Sequence, residues 1–408
     1  MSLFRSPFLG GFECSTHKRR DGRRLDLADS TRHDVFAARD YRTLREAGIL
    51  AARDGLRWHR IEVAPGRYDW SSALPMVRAA RDEGVQVAWD LLHFGWPDDV
   101  DVFSADFVER FARFAGAFTR VLLEETGDPA PFLAPLNEPS FLSFAAGEEG
   151  FFFPFAKKRG DEIKRQFVRA IVAASEAILA ACPGARLVHT DPIINIAAEP
   201  RRPQDRLAAE LHRQSQFAAW DGIAGRAQPE LGGRAALLDV IGVNYYIHNQ
   251  WIHDGELLVP SHPHHLPLRW MLLEVSERYR RPLFVSETGI EAEARPAWLR
   301  YVSGEVQAAR ALGADVQGIC LYPIFDHPGW EDDRHCPNGL WGYPDDEGNR
   351  PIDQPYAEEL KRQQALARAP LPSREEASAA LTDRGLFDGI EGRKLDAFAR
   401  VMEDASRP

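Results

Sequence analysis

Eight times along the chain a short apolar run gives way to a stretch whose apolar residues recur every three or four positions. Such alternation marks βα units, in which helices cover a parallel sheet. The apolar runs predict strands at Phe8–Cys14, Gly55–Ile61, Val85–His93, Pro131–Asn137, Ala185–Asp191, Leu238–Tyr246, Pro282–Glu287 and Val316–Tyr322. The periodic stretches predict helices at Asp34–Ala47, Ser72–Glu83, Ser104–Glu125, Asp161–Ala181, Asp205–Ala219, Leu268–Tyr279, Pro296–Leu312 and Gln354–Ala367. In Ser104–Glu125, Phe107, Phe111, Phe114 and Phe118 form one stripe that reads as packing against the sheet. Eight strands with eight helices predict an α/β chain closed into a (β/α)8 TIM barrel; a doubly wound open sheet is the alternative. A barrel of about 250 residues with insertions fits within 408 residues. The barrel domain is assigned to 1–369. Beyond the break at Pro370–Leu371–Pro372–Ser373, a C-terminal tail, 370–408, has helical spacing in Leu381, Leu386, Phe387, Leu395, Phe398 and Val401. The tail is expected to fold back on the barrel or to pair with a second copy as a homo-oligomer.

Two of the apolar runs end alike. Phe132–Leu133–Ala134–Pro135–Leu136–Asn137–Glu138–Pro139 stops on a carboxylate followed by a proline, which cannot extend a sheet ladder. The residue before proline is expected to be extended, aiming Glu138 out of the strand end. Pro282–Leu283–Phe284–Val285–Ser286–Glu287–Thr288–Gly289 again closes on a glutamate, with glycine as the turn residue. In a (β/α)8 barrel the strand ends carry the chemistry, so two such carboxylates predict a paired-carboxylate glycosidase. The plainer alternative is that each glutamate caps the helix that follows. The other strand ends add Glu13 to His17, Arg57 and His59, His93 and Trp96, Asn137, His189 to Asp191, Asn244 and Tyr246, and Tyr322 to Trp330. Hydrogen-bonding and aromatic side chains in that number suit a neutral sugar.

The same residues carry a resemblance. Phe8–Leu9–Gly10–Gly11, Leu136–Asn137–Glu138–Pro139, Ile241–Gly242–Val243–Asn244–Tyr245–Tyr246 and Ser286–Glu287–Thr288–Gly289, in that order, are similar to motifs of glycoside hydrolase family 1 and its clan of retaining (β/α)8 glycosidases. The resemblance spans roughly Phe8 to Tyr343. It implies Glu138 as general acid/base and Glu287 as nucleophile. It further implies Asn137 at the sugar 2-hydroxyl, Arg57 and Tyr246 beside the nucleophile, His93 at another hydroxyl, Asn244 within the site and Trp330 as part of the ring platform. The chemistry agrees with such a pair: carboxyls about 5–5.5 Å apart let one attack while the other protonates the leaving oxygen. The attacker must remain ionised, and the acid must keep its proton near neutrality.

Two departures bear on the substrate. The family carries a glutamine near the end of strand one and an Asn-Phe-Glu-Trp stretch after strand eight. Here those regions read Ser15–Thr16–His17–Lys18 and Asp326–His327–Pro328–Gly329–Trp330. His17, Asp326 or His327 would therefore supply the missing hydrogen bonds, and the sugar itself is left open. Acids at Glu331–Asp333 and Asp345–Glu347 disfavour a phosphosugar. The expected enzyme is a retaining exo-β-glycosidase for small β-glycosides or oligosaccharides. The same carboxylates would serve a transglycosidase, and a catalytically silent sugar-binding barrel is the third alternative.

Composition narrows the rest. A net charge of −11 disfavours nucleic acid and anionic membranes as partners. The chain shows neither a basic head followed by an apolar stretch nor a run approaching the roughly 20 apolar residues that span a bilayer. Cys14, Cys182, Cys320 and Cys336 are scattered, which reads as reduced thiols and a cytoplasmic setting. No glycine-rich phosphate loop is present, so no cofactor is expected. His327, His335 and Cys336 among Glu331, Asp332 and Asp333 fit no zinc spacing, so no metal is expected. His262, His264 and His265 read as a solvated loop.

Overall fold

A computed structural model describes residues 2–199 and 201–379. Eight parallel strands close a barrel: β1 (Phe8–Gly11), β2 (Ala51–Gly55), β3 (Gln86–Asp90), β4 (Phe132–Ala134), β5 (Arg186–Pro192), β6 (Val240–Asn244), β7 (Leu283–Thr288) and β8 (Val316–Leu321). Each strand pairs with the next in sequence, and β8 pairs with β1 through Leu9 opposite Cys320. Helices α1 (His33–Glu46), α2 (Leu74–Glu83), α3 (Ala105–Thr126) and α4 (Gly160–Ala181) follow β1 to β4. Side chains alternate along a strand, so one set faces the helices and the other fills the barrel.

The inner set begins as an apolar floor. Leu9, Ala51, Ala88, Phe132, Ala134, Val188, Val240, Phe284 and Cys320 are buried together, with Phe4 and Tyr322. Phe4 packs against Phe132 and Phe284, ring centroids 5.4 and 4.9 Å apart. Large rings from two strands face alanines from others, which is how a narrow barrel fills its interior.

The second strand differs from the expectation. It is Ala51–Gly55, not Gly55–Ile61, and Trp58–Ile61 forms a helical turn before the hairpin of Glu62–Ala64 and Arg67–Tyr68. Ala51 suits the crowded barrel interior and Ala52 packs on the helix side, but alanine has weak strand propensity. The segment Leu56–Ile61 has the stronger apolar pattern and spends it on packing, with Trp58 stacked 5.6 Å from Phe114 of α3.

The expected helix Asp205–Ala219 is also divided. Arg206–Gln214 buries only Ala209, whereas α5 (Ala218–Ile223) buries Ala219, Trp220, Gly222 and Ile223 and covers the sheet. The circuit continues with α6 (Leu268–Tyr279), α7 (Arg295–Leu312) and α8 (Gln354–Leu366). The Phe107–Phe118 stripe of α3 is fully buried, and Ser104 caps that helix by accepting from the Phe107 N–H.

Outside the barrel wall, a charged cluster ties α1 to the loop after β8. His33 bridges Asp40 (2.8 Å) and Asp54 (3.0 Å), and Arg350 donates to both oxygens of Asp40 at 2.7 and 2.9 Å. The Arg350 guanidinium also lies 3.7 Å from the Phe325 ring centroid.

Of the predicted tail, Arg374–Ala379 is a short helix against α7. Ala377 is buried and its carbonyl accepts from Arg269 of α6 at 2.8 Å. The apolar positions from Leu381 to Val401 lie outside the described residues. Among the described residues no helix is long and apolar enough to cross a membrane, and all four cysteines are buried and free.

Candidate active site

Two residues above the floor, the same inward-facing positions become polar. Arg53 follows Ala51, Asp90 follows Ala88 and Thr190 follows Val188, each one step up its strand. Arg53 is fully buried and bonds in several directions at once. Its Nη1 donates to Glu287 Oε1 (2.9 Å) and to the Ser286 carbonyl (2.8 Å). Its Nη2 donates to Asp90 Oδ2 (2.7 Å) and Asn137 Oδ1 (3.0 Å). Asn137 Oδ1 also accepts from the Thr190 hydroxyl at 2.8 Å, which turns the Asn137 Nδ2 toward His93 Nε2, 3.1 Å away. His93 Nδ1 lies 3.3 Å from Asp90, and Glu13 stands 3.9 Å from the Nε2 side.

Glu287 reaches this network through an irregularity in β7. Val285 is opposite Val243 of β6, yet Glu287 is opposite Asn244, so one extra residue is accommodated between them. Such a bulge re-aims a side chain, and here Ser286 and Glu287 both find inner partners. Ser286 donates to Asn244 Oδ1, and the Tyr246 hydroxyl donates to Glu287 Oε2 at 2.9 Å.

Glu138 opens the short helix Pro139–Ser143 with φ 50° and ψ 60°, a left-handed conformation instead of the extended one expected before a proline. Proline at the first helical position is compatible with the helix start, since its missing N–H is one of the unpaired donors there. Although Glu138 occupies the cap position, its carboxylate makes no cap bond. Oε1 accepts instead from Asn244 Nδ2 at 2.8 Å. The helix is served from the neighbouring strand: Asp191 accepts from the Ser140 N–H (3.0 Å) and hydroxyl (2.6 Å).

The two glutamates have unequal surroundings. Burial, and then the charge of Glu287, push the Glu138 carboxyl well above the usual range, with the Asn244 bond opposing. Burial, helped by the charge of Glu13, raises Glu287 as well, although the Arg53 and His93 charges and the Arg53 hydrogen bond oppose the rise. A single shared proton therefore belongs on Glu138. Burial pushes Asp191 up to about 7 against the two Ser140 bonds.

The structure brings Glu138, Glu287, Asn137, His93, Asn244 and Tyr246 into this one network. Arg57 is elsewhere. It caps the turn at Trp58–Ile61 and pairs with Asp34 at 2.8 Å and Asp26 at 3.5 Å, outside the barrel. The guanidinium beside Glu287 belongs to Arg53, which the displaced second strand concealed. Asp90 also went unread, although a carboxylate within Val87–Ala88–Trp89–Asp90–Leu91–Leu92 is a charge inside an apolar run. Asp326 is occupied in its own loop, accepting from the Gly339 N–H (2.9 Å) and facing His335 (2.8 Å).

His17 and Trp330 meet at the mouth in a cluster of rings. The His17 ring stacks on Phe152 at 3.8 Å, and Trp330 lies edge-on to His17, Phe94 and Phe152 at 5.6 to 5.8 Å. Burial and the nearby Arg19 push His17 down to about 3, so the ring is neutral. Both His17 nitrogens and Trp330 Nε1 are buried without a hydrogen-bond partner among the described residues.

One set of ligand-type atoms, from Cys14, Asp90 and His93, falls within 4.8 Å of one another. The Arg53 guanidinium already stands beside Asp90, and burial raises the Cys14 thiol, so the set does not fit a cation.

A closed (β/α)8 barrel with a ring of buried carboxylate, amide and guanidinium groups at its strand ends defines the class. No family model and no curated protein matches the chain. Solved structures do. A family 1 β-glucosidase from Thermotoga maritima superposes with TM-score 0.71 at 15% identity, over 89% of this chain and 98% of that one. A rice β-glucosidase mutant in covalent complex with Glc gives TM-score 0.70 at 15% identity, over 89% and 98%. A β-glycosidase gives TM-score 0.64 at 21% identity, over 85% and 89%. The chain thus has the barrel fold of the family 1 β-glucosidases.

Proposed function

We propose that the chain is a retaining β-glycosidase. The observation that carries the reading is the asymmetry of the two buried glutamates: Glu287 accepts from Arg53 and Tyr246, whereas Glu138 accepts from the neutral Asn244. An ionised Glu287 attacks the anomeric carbon while Glu138 gives its proton to the departing oxygen, leaving a glycosyl ester on Glu287. That ester has no charge, so Glu138 becomes a stronger base and takes a proton from the water that releases the sugar. Asn137 presents its N–H group to a sugar hydroxyl, and Arg53 takes the part that the sequence reading gave to Arg57. The names of the solved neighbours support a β-linked substrate. A small neutral glycoside suits the acidic chain, with Trp330 and His17 at its ring face.

The test is hydrolysis of aryl β-glycosides that differ in the sugar, by wild type, Glu138→Gln and Glu287→Gln. Turnover is expected for at least one sugar, with Glu287→Gln at background and Glu138→Gln slowed about 10²–10⁴-fold. Glu287→Gly with azide is expected to yield the α-glycosyl azide. A product of inverted configuration from the wild type, or normal turnover by both glutamine variants, would overturn the reading.

A further inference from the structure

We propose that Asp191 on β5 is the positioning residue that leaves Glu138 free for chemistry, by capping the helix that Glu138 opens. The inference rests on the glycosidase reading above.

A carboxylate at a helix cap position normally accepts from a backbone N–H two or three residues on. Glu138 holds that position, and the nearer N–H within its reach is that of Ser140, the next being that of Phe141. Asp191 takes the Ser140 donor. One of its oxygens accepts from the Ser140 N–H at 3.0 Å and the other from the Ser140 hydroxyl at 2.6 Å. The residue before it completes the arrangement, since the Thr190 carbonyl accepts from the Glu138 N–H at 3.0 Å. Adjacent residues of β5 therefore grip the main chain on either side of Glu138. Held this way, Glu138 keeps its left-handed backbone and turns its carboxyl toward Asn244, on the next strand round the barrel.

Asp191 is itself fully buried, and its two oxygens have no role in the network around Arg53. The Thr190 side chain does belong to that network, through Asn137. One strand end thus orients Asn137 with Thr190 and Glu138 with Asp191. Loss of Asp191 exposes the Ser140 N–H to the Glu138 carboxylate, which then caps its own helix and turns from the scissile oxygen.

A diverted general acid affects substrates unequally, and this gives the experiment. Dinitrophenyl β-glycosides leave without a proton, whereas methyl β-glycosides need one. Asp191→Ala and Asp191→Asn are compared with wild type and Glu138→Gln on both substrates, together with thermal unfolding. Asp191→Ala is expected to lose kcat/KM on the methyl glycoside about 10–100 times more than on the dinitrophenyl glycoside, in line with the effect of a misplaced group. Asp191→Asn keeps one acceptor for the Ser140 N–H, while its amide N–H can donate to the Ser140 hydroxyl, and it is expected to recover most of that ratio. Equal losses on the two substrates, or no loss, would remove the assignment. Should Asp191→Ala fail to fold, Ser140→Ala, which removes only the hydroxyl bond, must show a smaller split of the same sign. A wild type inactive on every aryl β-glycoside, or a Glu138→Gln variant without the split, would overturn the glycosidase reading itself and Asp191's role with it.

Discussion

Two arginines four positions apart, Arg53 and Arg57, are both buried and both paired with carboxylates, yet only Arg53 faces the barrel interior. Arg53→Lys keeps the charge but cannot bond Glu287, Asp90 and Asn137 together, because a lysine lacks the planar fork. It is expected to lower kcat on the best aryl glycoside at least about 100-fold. Arg57→Ala should lower stability by about 1–3 kcal/mol, from unpaired partners at Asp34, and leave kcat within a few-fold of wild type. Steady-state kinetics and urea unfolding on both variants separate the two; a larger kcat loss in Arg57→Ala would contradict the geometry. Sequence pattern could not make this distinction. Ala51 and Ala52 are poor strand formers, the first being small where the barrel interior is narrow, so the neighbouring Leu56–Ile61 run has the stronger strand pattern. Glu138, Asn137 and Glu287 were legible because proline or glycine breaks the chain beside them.

Among elements, the long helices were readable to within a residue or so and the strands less so. Helix α3 illustrates why: a serine cap, a phenylalanine stripe and Gly127 beyond its end all mark the same segment. Ser104→Ala is expected to cost about 1 kcal/mol and Phe111→Ala about 3–5 kcal/mol in chemical denaturation. A Ser104→Ala loss equal to that of Phe111→Ala would mean that capping, not burial, dominates this helix. Where the reading failed, packing had overridden local pattern. The stretch Arg206–Gln214 has helical spacing but leaves Leu207 and Leu211 exposed at 70% and 63%, because the short α5 behind it fills the place against the sheet. The bulge in β7 left no mark in sequence either, since it depends on the partner strand's register.

At the scale of the molecule, the His33 cluster joins the first helix to the last long loop. Burial alone would lower the His33 pKa, but the charge of Asp54 and the bonds to Asp40 and Asp54 prevail and raise it to about 9. The unfolded value is near 6.5, so protonated His33 is favoured by folding. Its contribution is complete below about pH 6.5 and fades as pH rises through about 9, for at most about 3 kcal/mol. Asp40 and Asp54 face His33, Arg350 pairs with Asp40, and Tyr41, whose hydroxyl bonds Asp54, is raised well above its usual range. Unfolding free energy measured from pH 6 to 9.5 should therefore decline more for wild type than for His33→Gln. Parallel curves would show that His33 does not carry the dependence.

The floor of Phe4, Phe132 and Phe284 closes the barrel directly beneath Arg53. Arg53 comes from the second strand and Glu287 from the seventh, so of its two carboxylate partners Asp90 lies early in the chain and Glu287 late. Closure of the last strands therefore brings a second carboxylate onto a guanidinium that Asp90 already pairs.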